Sequence, residues 1–76
     1  MPTVLRIKGF KFFFFSEEGL EPVHIHVQKG GGTAKFWLAP VRLVHTEGFK
    51  KQELRVILKL LEQHELELIR VWNETE

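Results

Sequence analysis

Val23-His24-Ile25-His26-Val27-Gln28-Lys29-Gly30-Gly31-Gly32-Thr33-Ala34-Lys35-Phe36-Trp37-Leu38 decides the fold. A strand sends successive side chains to opposite faces. Val23, Ile25 and Val27 therefore share one face, and His24, His26 and Gln28 the other. After three glycines the alternation returns, with Ala34, Phe36 and Leu38 set against Lys35 and Trp37. Two such runs joined by a glycine turn read as a β-hairpin. Pairing with the apolar sets aligned places His24, His26, Lys35 and Trp37 on one surface, away from the core.

Upstream, Thr3 to Lys8 and Phe10 to Ser16 are rich in β-branched and aromatic residues and meet at Lys8-Gly9, which predicts a first hairpin. Its second arm sends Phe12 and Phe14 one way and Lys11, Phe13 and Phe15 the other. Glu17 to Pro22 is a loop. Downstream, Pro40 ends a strand, and Val41 to His45 forms a short fifth strand at an edge. After Gly48 the period changes: Leu54, Ile57, Leu58 and Leu61 form the stripe of an amphipathic helix. Phe49 and Leu54 are spaced as a hydrophobic staple, and Glu53 occupies the third helical position if Lys50 is the N-cap, a role lysine fills poorly. The stripe loses phase at Gln63-His64-Glu65 and resumes at Leu66, Ile69 and Trp72, predicting a kink or two helices, with Trp72 closing the core. The expected architecture is a single α+β domain over residues 1–76, an antiparallel sheet of four or five strands packed against one or two C-terminal helices.

Length and charge narrow the possible roles. A chain of 76 residues buries only about 60% of its unfolded surface, so a homodimer or a bound partner suits it. Without cysteine there is neither disulfide, thiolate metal site nor thiol nucleophile, which fits a reducing cytoplasm. No apolar run nears the roughly 18 residues of a membrane span, and the first residues lack the apolar core of a signal peptide. A soluble cytoplasmic protein without membrane contact is the expectation. Residues 1 to 51 hold eight Lys or Arg against four Glu, a balance of +4, whereas residues 52 to 76 hold three against six, −3. The basic sheet region suits a polyanion and the acidic tail a basic partner, although small solvated surfaces also divide this way.

His24 and His26 carry the chemistry on offer. In a ribonuclease-like reading one imidazole is general base on a ribose 2′-hydroxyl and the other is acid toward the leaving oxygen, while Lys35 or Arg42 neutralises phosphate. Histidine suits this because its reference pKa of about 6.5 leaves both protonation states accessible near neutrality. Bases of single-stranded RNA also stack on half-exposed rings while phosphates meet cations, which adds Lys35, Trp37, Arg42 and Gln28 as binding residues. A metal reading uses the same pair, with His45, Glu21, Glu18 or His64 as third ligand and no spacing that selects among them. A third reading is a module without chemistry, in which an edge strand or the Trp72 helix docks a small cognate protein and the histidines are structural. Gly30-Gly31-Gly32 lacks the features of a nucleotide-binding loop. No cofactor is implied, and whether the domain is an enzyme stays open.

The segments Met1-Pro2-Thr3-Val4-Leu5-Arg6-Ile7, Phe12-Phe13-Phe14-Phe15-Ser16, Glu21-Pro22-Val23-His24-Ile25-His26-Val27, Ala34-Lys35-Phe36-Trp37-Leu38, Pro40-Val41 and Glu53-Leu54 resemble the small bacterial DUF4160 family, a domain of unknown function. The resemblance spans nearly the whole chain. Its most specific parts are Pro-x-His-x-His-Val and Ala-Lys-Phe-Trp-Leu. It implies a gene set beside a second small gene, as in toxin and antitoxin pairs. Val23 stands where a second proline is usual, and Lys50 where a Ser or Thr cap is common; both changes loosen the local frame without removing a site residue.

Overall fold

The computed structural model describes residues 3–14 and 22–75, with the side chains of residues 5–14 and 22–74. Five strands, β1 (Thr3–Ile7), β2 (Phe10–Phe13), β3 (His24–Lys29), β4 (Gly32–Leu38) and β5 (Val41–Glu47), precede two helices, α1 (Lys51–Gln63) and α2 (Glu65–Thr75). The strands form one antiparallel sheet in sequence order. The α+β architecture expected from the periodicities is the one observed.

Alternation builds the core. Directly opposed residues share a face, so Ile7 with Phe10, Phe12 with Val27 with Ala34, and Ile25 with Phe36 all point to one side. Phe10, Phe12, Phe14, Ile25, Val27, Ala34, Phe36 and Leu38 are buried there beneath Ile57, Leu60, Leu61, Leu68 and Trp72 of the helices. The helices close this side, α1 against β5 and α2 against β4. Of the first hairpin's phenylalanines, Phe12 and Phe14 join the core and Phe13 faces the other way; Phe15 and the Glu17–Glu21 loop lie outside the described residues.

The first hairpin turn is the expected Lys8-Gly9, and the second is tighter than expected. Lys8 and Gly9 have φ of 54° and 84°, the pair of positive values that a type I′ turn demands. Gly32 pairs with Lys29 and so belongs to β4, leaving Gly30-Gly31 as a two-residue turn. Gly32 is needed for space, since a Cβ there would lie 2.5 Å from the Phe49 ring. Gly48 has φ +80°, and a Cβ on it would meet the Gly31 carbonyl oxygen at 2.6 Å. The chain entering α1 is thereby clasped against the β3–β4 turn, with Phe49 and Phe10 rings 5.9 Å apart.

Two expectations need correction, the end of β5 and the place of Leu66 in the buried stripe, while the break between two helices is as expected. β5 runs to Glu47, not His45, because its pairing with β4 continues through Ala34–Thr46 and Thr33–Glu47, past a bulge that inserts Val44 between the Lys35–His45 and Phe36–Leu43 pairs. The phase loss near residue 64 is a true break: the His64 amide donates to Leu60 O at 3.1 Å, and its carbonyl accepts from Leu68 N at 2.9 Å, so one residue ends α1 and starts α2. That break rotates the second stripe, so Leu68 and Trp72 are buried while Leu66 is 83% exposed.

Candidate functional site

Strand pairing arranges the second sheet face in three rows. The first crosses all five strands as Arg6, Lys11, Gln28, Thr33 and Glu47. The middle row reads Phe13, His26, Lys35 and His45. The third reads His24, Trp37 and Arg42. Neighbours within a row are about 5 Å apart and rows about 7 Å apart. Apart from Trp72 of α2 at the His24 end of the third row, no helical ring contact reaches this face among the described residues, and Arg6, Gln28, Arg42 and His45 are exposed while Lys11, Phe13, His26, Lys35 and Trp37 are half-buried.

Rings and cations interleave across the rows. Phe13 and His26, opposed across β2 and β3, stack with centroids 5.6 Å apart and planes at 23°. The Lys11 ammonium lies 5.5 Å from the Phe13 centroid and the Lys35 ammonium 5.3 Å from the Trp37 centroid, both within cation–π range. Arg6, Lys11, Lys35 and Arg42 face Glu47, the one carboxylate among the described residues of these rows. Glu47 approaches His45 at 3.5 Å.

His24 departs from the expected shared surface, since its side chain is fully buried. Alternation fixed its direction but not what covers the start of β3. Trp72 comes from α2 to within 5.0 Å of the His24 ring, Trp37 lies 5.9 Å away edge-on, and His26 lies at 5.4 Å. Nδ1 of His24 donates to the Pro22 carbonyl at 2.8 Å; a carbonyl only accepts, so Nδ1 carries the hydrogen. Trp72 also meets Phe14 edge to face at 5.3 Å. His24 thus joins an aromatic seam tying the start of β3 to α2, and of the two histidines only His26 reaches solvent. In this conformation the pair cannot both touch a substrate.

The rest of the expected set divides clearly. Lys35, Trp37 and Gln28 lie on the face, as their parity required, and Arg42 joins them through its pairing with Trp37. Arg6, Lys11 and Phe13 join them; the signal for these was the parity of β1 and β2, legible only once the register between hairpins is known. For a metal, Glu18 and Glu21 lie outside the described residues, His45 is two strands from His26, and His64 is held by Glu67 at 3.1 Å. Among the described residues no three metal-ligating side chains converge. Among the described residues no helix is long and apolar enough to cross a membrane.

Comparison with curated proteins and with solved structures finds no match. The model of a domain of unknown function, DUF4160, matches residues 9–73, which include four of the five strands and nearly all of both helices. The chain belongs to the DUF4160 family.

Proposed function

We propose that the second face of the sheet binds single-stranded RNA. The observation that carries this reading is the alternation, on one face, of half-buried rings (Phe13, His26, Trp37) with the cations Arg6, Lys11, Lys35 and Arg42. Flat rings accept unstacked bases of any sequence, and cations between them meet the backbone phosphates. Gln28, exposed in the first row, adds a side-chain amide able to donate to or accept from a base edge. His26, stacked on Phe13, serves as a platform. With His24 buried, binding without cleavage is the activity favoured. On this reading the protein works in a bacterial cytoplasm as one member of the small toxin–antitoxin-like gene pair that the family resemblance implies.

Tryptophan fluorescence during titration with decauridylate tests the proposal. Trp37 is half-buried on the face and Trp72 is buried, so quenching should come from Trp37. Trp37→Ala is expected to remove the quenching and, in a competition assay, to weaken binding by about 1–3 kcal/mol. Affinity should fall as salt rises, and Lys35→Ala should reduce the salt slope by about 0.7. Binding that is independent of salt, or unchanged in Trp37→Ala, overturns it.

A further inference from the structure

The edge of the sheet beside α1 carries a second surface, separate from the RNA face. Among the described residues β5 has a neighbour only in β4, so its outer backbone edge is open. Beside that edge runs an open groove of about 260 Å³ lined by Phe36, Val41, Leu43, Leu54 and Leu58, with Arg42 and Arg55 at its rim. Leu43 and Val44 are 44% and 41% exposed. Apolar side chains next to an unpaired strand edge are what an extended segment needs in order to add as a sixth strand. The Val44 bulge interrupts the edge, so the regular run open to pairing is Val41–Leu43, the part that flanks the groove.

Charge selects the occupant. Lys51, Arg55 and Lys59 stand four residues apart on α1 and are exposed, so they form one basic column with Arg55 at the groove. The Arg42 side chain belongs to the opposite face by its pairing with Trp37, so the column is supplied by α1; the acidic groups of the two elements, Glu47, Glu53 and Glu62, lie toward the ends of β5 and α1, and Glu53 accepts from the Lys50 amide. A second copy pairing antiparallel through β5 would be related by a twofold normal to the sheet. The two α1 helices would then lie side by side and oppose their basic columns, Arg55 near Arg55, an unfavourable juxtaposition of like charge. The geometry points to an extended acidic segment of a partner protein, its apolar side chains in the groove and its carboxylates on Arg55 and the neighbouring Lys51 and Lys59.

The test is a titration of the ¹⁵N-labelled full chain with a capped eight-residue peptide alternating glutamate and valine, set against its lysine–valine counterpart. The glutamate peptide should shift amides of Val41–Leu43, Leu54, Arg55 and Leu58 and slow hydrogen exchange along β5, and the lysine peptide should not. Arg55→Glu, at an exposed position, should weaken the glutamate peptide about tenfold, with spectra of the RNA face unchanged; Arg55→Gln should fall between. Equal affinity for the two peptides, shifts confined to the opposite face, or no binding at millimolar concentration would each overturn the inference. So would concentration-dependent shifts of the same amides without peptide, which would place a second copy on the edge.

Discussion

At the scale of single residues, His24 and His26 have the same parity and different surroundings. Burial against Trp72 makes His24 part of the folded frame, whereas His26 rests half-open on Phe13. His24→Ala would leave a cavity and break the bond to Pro22, costing about 2–4 kcal/mol in urea denaturation, while His26→Ala would cost about 1 kcal/mol or less. Equal costs would remove the distinction. Parity was legible in the alternation of residues 23–27; the cover over His24 was not, because it depends on where a helix some 50 positions along the chain ends in space. Lys8 offers a second case. Its φ of 54° suits asparagine or glycine better than lysine. Lys8→Asn should therefore raise stability by about 0.5–1 kcal/mol, seen as a higher urea midpoint at unchanged slope; a lower midpoint would show that the lysine side chain outweighs its backbone strain.

At the scale of elements, periods of two and of 3.6 predicted four or five strands and one or two helices because each element buries one side, and the structure has five and two. Their ends were less legible. Pairing with Ala34 and Thr33 carries β5 two residues past its expected end, and the α1–α2 junction turns the second stripe so that Leu66 faces water. Both depend on pairing and packing partners distant in sequence. The first turn of α1 shows the opposite situation, where a local defect visible in the sequence persists in the structure. Lys50 holds the N-cap position with extended backbone, φ −83° and ψ 160°. Its amide donates to Glu53 Oε1 at 2.9 Å, but an ammonium cannot accept from the free amides of the first turn. Lys50→Ser supplies that acceptor and should add about 1 kcal/mol, read as a higher denaturation midpoint. No gain would mean that the clasp of Gly48 and Phe49 already holds the turn.

At the scale of the whole molecule, the domain is a sheet with helices on one side and a basic, ring-bearing surface on the other. Folding needs the first side, and nothing in core packing asks for Lys11, Phe13, His26, Lys35 and Trp37 together on the second. Much of that surface could be read from the 23–38 hairpin alone; β2's contribution required the inter-hairpin register, in which Phe13 meets His26. On the two proposals, the face would take a polyanion and the β5 edge an acidic strand, each loaded separately. The most direct measurement is a ¹H–¹⁵N amide titration of the full chain with decauridylate at low and at raised salt. Shifts centred on Lys11, Phe13, His26, Lys35 and Trp37 that shrink as salt rises are the predicted result. Shifts absent from those residues, or unaffected by salt, would contradict the assignment of this face to RNA.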